Sequence, residues 1–255
     1  MRYFGFAVRE HYLGKAVDFA PDMAVLEIGV GAGKAAEILR DRVKEFWGVD
    51  HSAGLVEMLR EEYGEGRDAR FFLLDVCDER AGLGKKFDVV FSLDTLEHVP
   101  CPGRFFVFFA RHLGEDGQGV VLFPNESAAK HHGVTWFEEE EALREVVEEA
   151  ELEVVRLVEL KMTAWHRVVK AVLWGWPKSL AGRAGQGKSR EAEGSLFDET
   201  ESFRLARRKG PAMFFPAVYA GAVSRLARLF PLYRERELTG GEVRDKRLLL
   251  LVRKK

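Results

Sequence analysis

The chain has 255 residues, 47% of them hydrophobic and 31% charged, with a formal net charge of −2. That length suits one large domain, or one domain carrying a sizeable insertion. No apolar run approaches the roughly 20 residues that cross a bilayer, and the opening MRYFGFAVREHYLGK lacks an apolar stretch behind basic residues. Neither a spanning helix nor a cleaved signal peptide is therefore expected, and a cytoplasmic location is.

In chain order, residues 1–19 read as a short aromatic-rich helix. Six apolar runs follow: MAVLEI, EFWGVD, RFFLLD, FDVVFSL, GVVLFP and LEVVRLVEL. Helical patterns at 33–42, 52–62, 101–113 and 137–150 separate most of them. Strands alternating with helices at this spacing predict an α/β fold, a mostly parallel sheet with helices on both faces. DKRLLLLVRKK at the end supplies a seventh strand.

The composition changes at residue 161. Residues 161–240 hold 15 Lys/Arg against 7 Asp/Glu, a charge of +8, so the remainder carries −10 of the net −2. Three of the five tryptophans, Trp165, Trp174 and Trp176, lie there. We therefore divide the chain into a sheet domain, 1–160 with 241–255, and a helical insertion, 161–240, between strands six and seven. Residues 182–194, GRAGQGKSREAEG, form its low-complexity loop. Cys77 and Cys101 match no zinc spacing and read as ordinary buried thiols in a reducing compartment. One asparagine (Asn125) and two glutamines (Gln118, Gln186) in so charged a chain suggest a thermophilic source.

The glycines of VLEIGVGAGKAAEILR, at 29, 31 and 33, allow three ligand classes. A phosphate-cradling loop needs four residues before its Gly-Lys and a following Ser or Thr. Here three intervene, and Ala35 follows. A dinucleotide fingerprint needs a further glycine where Lys34 stands, so a nicotinamide-dependent oxidoreductase is the weaker alternative. A nucleoside sulfonium with an amino acid tail fits better. Glycines 29 and 31 allow close backbone approach, Glu27 offers an acid near an ammonium, and Asp50 ends the second strand where a ribose acceptor belongs.

Glu27-x-Gly29-x-Gly31-x-Gly33, Asp50 after strand two, Asp75 after strand three and FDVVFSLDTLEHV after that resemble the class I S-adenosylmethionine-dependent methyltransferases. The resemblance implies a Rossmann-like seven-stranded sheet and S-adenosylmethionine as cofactor. It gives Gly29, Gly31 and Gly33 to the floor under the methionine tail and Asp50 to the ribose diol. His51 goes to an adenine face, Asp75 to the adenine amino group, the Val76 N–H to a ring nitrogen and the Leu93 carbonyl to the ammonium. A bland reading of His51 as an exposed helix-start residue stands beside its adenine role. A fold retained only for binding, without catalysis, is a further alternative.

A hydroxyl nucleophile gains from losing its proton as it attacks, so a base is sought. In SLDTLEHV, Asp94, Glu97 and His98 are spaced i, i+3, i+4, which on a helical turn would share one face. The stretch is similar to ubiquinone-pathway O-methyltransferases, where such a triad holds a divalent ion that acidifies a catechol-like hydroxyl. The Glu-His pair also occurs in relatives without metal, where it fixes the loop. We assign no metal ligand, take His98 as the candidate base, and turn Asp94 toward the substrate. His131 and His132, near Trp136, read as loop-stabilising.

In the insertion, Trp165, Val168, Val169, Val172 and Leu173 form one apolar stripe, and Phe215, Tyr219, Ala222, Leu226 and Leu229 another. They predict either a helical lid packed on itself or a basic, tryptophan-bearing face for a membrane interface. RNA is disfavoured, because the aromatics sit in amphipathic stripes. The partner expected is a small-molecule acceptor, hydrophobic or lipid-like, methylated on oxygen. The oligomeric state is left open.

Overall fold

In the computed structural model, residues 11–63, 69–126, 133–165, 168, 225–227, 229, 232–244 and 246–255 are described. Contacts divide the chain into two units: Met1–His11 with Met162–Leu232, and Tyr12–Lys161 with Tyr233–Lys255.

The second unit carries the sheet. Its strands are β1 (Ala24–Ile28), β2 (Glu45–Asp50), β3 (Ala69–Leu73), β4 (Phe87–Leu93), β5 (Leu113–Asn125), β6 (Leu152–Met162), β7 (Tyr233–Glu237) and β8 (Lys246–Lys254). Its helices are α1 (Lys34–Leu39), α2 (Ala53–Tyr63), α3 (Pro102–His112) and α4 (Glu140–Glu149), and residues 11–16 are helical too. The order across the sheet is β3-β2-β1-β4-β5-β8-β6-β7. The first five strands pair in parallel, and β8 runs antiparallel between β5 and β6.

The burial pattern explains this order. Every residue of β1 and all but Asp88 in β4 are buried, as expected of central parallel strands covered on both faces. The Leu248–Leu250 run of β8 is likewise enclosed, by Val121 and Leu122 of β5 on one side and Leu157 and Val158 of β6 on the other. One face of the sheet, including Leu26, Val90, Val121 and Phe123, packs on Phe105, Phe106, Phe108 and Phe109 of α3 and on Leu143 and Val147 of α4. On the opposite face Phe71 meets Phe46 at 6.5 Å and Tyr63 of α2 at 5.3 Å. Pro102 opens α3, where its missing N–H costs nothing.

The helices expected at 33–42, 52–62, 101–113 and 137–150 and the expected strands are present, with one strand more than the seven foreseen among the described residues. β7, YRERE, lies inside the stretch read as wholly helical. Its alternating charges carry no apolar period, and it serves as a polar edge strand. Arg236 bonds Glu159 of β6 at 2.9 Å, and the Leu238 N–H donates to the Leu157 carbonyl.

A second correction concerns the cysteines. Cys77 and Cys101 are joined in a disulfide, with Cα atoms 5.8 Å apart. They are 24 residues apart in sequence, and no spacing rule links a loop after one strand to the cap of a later helix. Closing a loop of that length removes roughly 3.5 kcal/mol of chain entropy from the unfolded state.

In the first unit, Thr163 donates through both its N–H and its hydroxyl to the Leu232 carbonyl. Trp165, Val168 and Leu229 are 44%, 48% and 72% exposed. The other members of the two apolar stripes, except Leu226, the 182–194 loop, His131 and His132 lie outside the described residues. Among the described residues no helix is long and apolar enough to cross a membrane.

Candidate functional site

The candidate residues collect at the carboxyl edge of β1, β2, β3 and β4, where open α/β sheets bind ligands. Glu27 lies buried one residue before the end of β1. The loop beyond it climbs through three left-handed glycines, with φ of 78° at Gly29, 52° at Gly31 and 69° at Gly33. Their surroundings differ. A Cβ at Gly29 would lie 2.2 Å from Thr95 Oγ1, and one at Gly33 would lie 2.4 Å from Leu59 Cδ2. At Gly31 nothing lies within 4 Å. Two glycines thus admit the protein's own neighbours, and the third opens a cradle for an incoming group.

Asp50 ends β2 with only 8% of its surface exposed. Its Oδ2 accepts the Gly31 N–H at 2.8 Å and its Oδ1 accepts the Ser52 N–H at 2.9 Å. One carboxylate therefore binds the glycine loop to the start of α2 and presents its remaining lone pairs beside the cradle. His51, 79% exposed, holds Nδ1 3.6 Å from Asp50 Oδ1. Lys34 turns along α1 to Glu37 at 3.3 Å.

After β3, Asp75 is exposed, and its Oδ1 accepts the Cys77 N–H at 2.9 Å. The Leu74 N–H donates to the Asp50 carbonyl at 2.9 Å, so the loops after β2 and β3 are joined. Val76 is half-buried between Asp75 and the disulfide. The Leu93 carbonyl accepts from Thr95 Oγ1 at 3.3 Å, which places Thr95 against both the glycine loop and the end of β4.

The Asp94, Glu97 and His98 group corrects the expectation of one shared face. Asp94 has a φ of 52°, and the turn after it is a 3-10 helix over Leu96–His98. A left-handed residue followed by three residues per turn lacks the α-helical period that the shared-face reading assumes. Glu97 is buried, whereas His98 is 58% exposed, with Nε2 3.8 Å from Glu97 Oε1. Asp94 Oδ1 accepts Arg247 Nη1 at 2.6 Å, and the Asp94 N–H donates to the Leu122 carbonyl. Burial works against the Arg247 charge, but Asp94, then Tyr233 and Glu97, outweigh it and push its pKa up. Asp94 thus binds a guanidinium brought in by β8, and Glu97 adds to the negative field around it. Among the described residues no group of three or more His, Cys, Asp and Glu side chains is arranged to hold a metal ion.

Sequence reasoning missed Thr95 and Arg247. Thr95 was legible in principle, as the small residue that follows Asp94 at the end of a strand beside a glycine loop. Arg247 carried no signal, because only the antiparallel insertion of β8 brings it beside β5, with Arg247 opposite Pro124.

The set of groups fits S-adenosylmethionine. An open position at Gly31, a buried acid beside it at Asp50, an exposed acid at Asp75 and an acid at Glu27 match a cradle, a diol, an adenine amine and an ammonium.

Comparison with known proteins agrees. The sequence profile of a family described as "Methyltransferase domain" matches residues 7–157. A ubiquinone biosynthesis O-methyltransferase of Azorhizobium caulinodans is 28% identical over 102 residues, 39% of each chain. Phosphoethanolamine N-methyltransferase 2 of Caenorhabditis elegans is 28% identical over 107 residues, 41% of this chain and 24% of that protein. The chain therefore spans well under half the length of these curated relatives. The fold is shared with Haemonchus contortus phosphoethanolamine N-methyltransferase 2, solved with phosphomonomethylethanolamine and S-adenosylhomocysteine. There the TM-score is 0.54 at 15% identity, over 96% of this chain and 52% of that one.

Proposed function

The chain belongs to the methyltransferase domain family, and from that premise we propose that it transfers a methyl group from S-adenosylmethionine to the oxygen of a small hydrophobic or lipid-like acceptor. The bound cofactor supplies a methyl group already activated by its sulfonium, so the protein's part is alignment and exclusion of water. Asp50 would accept from the ribose diol, Asp75 and the Val76 N–H would meet adenine, and Glu27 and the Leu93 carbonyl would face the ammonium. Gly29, Gly31 and Gly33 would underlie the methionine tail. The observation that carries this reading is Asp50, a buried acid fixed by two backbone donors beside the open position at Gly31.

The choice of acceptor rests on charge and exposure. Asp94, Glu97 and Arg247 sum to one negative charge at the end of β4, which disfavours an anionic acceptor. Asp94 is occupied by Arg247, so the half-exposed His98 is the better candidate to take a hydroxyl proton. The relatives include O- and N-methyltransferases, and this base is what favours oxygen. Trp165, Val168 and Leu229 are exposed in a stretch of net charge +8, which supports contact with a lipid interface.

Calorimetry with S-adenosylhomocysteine and with NAD tests the cofactor. Binding of the first alone is expected, and binding of NAD alone would overturn the reading. Co-sedimentation with phosphatidylglycerol vesicles tests the acceptor class, since a protein that stays in the supernatant has no lipid interface. Transfer of labelled methyl to hydroxyl-bearing rather than amine-bearing lipids tests the atom.

A further inference from the structure

The connection between β3 and β4, residues 74–86, contains no helix or strand. Its first half holds the two groups assigned to adenine, Asp75 and the Val76 N–H, and short backbone turns shape it. The Asp78 N–H donates to the Asp75 carbonyl at 3.0 Å, and the Arg80 N–H donates to Asp78 Oδ1 at 2.9 Å. Such turns hold the loop's own curvature but do not fix it to the rest of the fold.

Beyond the Leu74 bond to the Asp50 carbonyl at its start, what fixes it is α3. Cys77 is bonded to Cys101, the residue that caps α3. Arg104 donates to the Cys77 carbonyl at 2.7 Å and pairs with Glu79 at 2.5 Å, and Arg111 donates to the Ala81 carbonyl at 2.6 Å. Arg104 and Glu79 are both largely exposed, so water competes for that pair. The covalent bond is the strongest of these ties, and it lies one residue beyond Val76. Its other end is three residues beyond His98. A single bond therefore joins the loop that would hold adenine to the turn that carries the candidate base. Both cysteines are only half-buried, so a small dithiol can reach them.

We propose that the Cys77–Cys101 disulfide sets cofactor affinity, so that the site binds S-adenosylmethionine tightly when the bond is closed and weakly when it is reduced. The proposal rests on the assignment of Asp75 and Val76 to adenine. A dithiol reductant opens the bond by exchange: its first thiolate attacks one protein sulfur and releases the other as a thiolate, and its second thiolate then attacks the mixed disulfide and releases the remaining protein sulfur. The protein gains two electrons and two protons as two thiols, and the reductant leaves as a cyclic disulfide. The freed loop must then be ordered again on each binding event. Ordering one or two side chains costs binding about threefold to tenfold in affinity. The closed bond has already met that cost.

The test is calorimetry with S-adenosylhomocysteine on the full chain, oxidised and then treated with dithiothreitol, with thiols counted by a chromogenic disulfide. Oxidised protein should show no free thiols and bind about tenfold more tightly than reduced protein, and removal of reductant under air should restore the affinity. Cys77→Ser and Cys101→Ser should each bind like reduced protein and ignore dithiothreitol. Hydrogen exchange should rise over 74–81 on reduction, while the far-ultraviolet dichroism stays constant. Equal affinity in both redox states overturns the proposal, as does loss of affinity through global unfolding. Two free thiols that no oxidant closes overturn it as well. Failure of the oxidised protein to bind S-adenosylhomocysteine at all removes the cofactor reading itself, which is a separate result.

Discussion

Replacing Asp50 separates the ligand's contribution from the fold's. In the free protein its two oxygens accept the Gly31 and Ser52 N–H groups at 2.8 and 2.9 Å. Asp50→Ala leaves two half-exposed backbone donors to water, which should cost about 1–2 kcal/mol of stability. The cost to binding is larger. Each ribose hydroxyl would lose a hydrogen bond to a charged acceptor, worth about 1.5–3 kcal/mol, so affinity for S-adenosylhomocysteine should fall at least about 100-fold. Asp50→Asn keeps one carbonyl oxygen for a backbone donor but points an amide donor where a second acceptor stood. It should lose less stability and bind about tenfold more weakly. The assay is calorimetry at 25 °C, with melting curves of the ligand-free proteins alongside. A folded Asp50→Ala protein that binds S-adenosylhomocysteine within twofold of the parent would refute the reasoning, because then no diol rests on this carboxylate.

Three further outcomes follow from the geometry. Gly29→Ala drives a Cβ to 2.2 Å from Thr95 Oγ1 at a φ of 78°, so it should lower the melting temperature and weaken S-adenosylhomocysteine. Adding Thr95→Gly should return about 1 kcal/mol, and strict additivity in the cycle would deny the contact. For the 2.6 Å pair of Arg247 and Asp94, a double-mutant cycle of Arg247→Met and Asp94→Asn should give a stability coupling of about 1–2 kcal/mol, and a coupling near zero counts against it. His112 is buried, its Nδ1 at 2.7 Å from the Phe108 carbonyl and its Nε2 accepting the Leu83 N–H at 2.9 Å. Burial pushes its pKa below the ordinary 6.5. The unfolded chain takes up that proton first, so the stability His112 contributes is whole above pH 6.5 and is lost as pH falls below it. His112→Asn should flatten the stability profile below pH 6.5 relative to the parent, and parallel profiles would refute the assignment.

The sheet was legible because its central strands, β1, β2 and β4, are nearly uniform in burial. A strand such as VLEI or FDVVFSL, covered on both faces, is apolar at most positions, with Glu27, Asp88 and Ser92 the exceptions, and helices must alternate with it. β7 escaped notice for the complementary reason. An edge strand exposed to water needs no apolar period, and YRERE is selected for charge pairing with β6 and against further strand addition. The glycine loop was legible because positive φ and close approach leave few residues able to occupy it. The roles within it were not separable by sequence, since Gly29 and Gly33 yield to Thr95 and Leu59 while Gly31 alone faces open space.

The Asp94 turn marks the limit of reading by spacing. The pattern i, i+3, i+4 converges only on an α-helical turn, and whether a turn is α-helical depends on the backbone that leads into it. Asp94 enters in the left-handed region, at a cost of roughly 1–2 kcal/mol for a residue other than glycine. Its N–H bond to Leu122 and its ion pair with Arg247 offset that cost. Leu122 comes from the neighbouring strand β5, whereas Arg247, far along the chain, reaches Asp94 only because β8 lies beside β5. The conformation of this site is therefore fixed in part by β8, the last strand in the chain. A local pattern can name the reactive side chains at such a position, but the direction Asp94 points depends also on Arg247, 153 positions away.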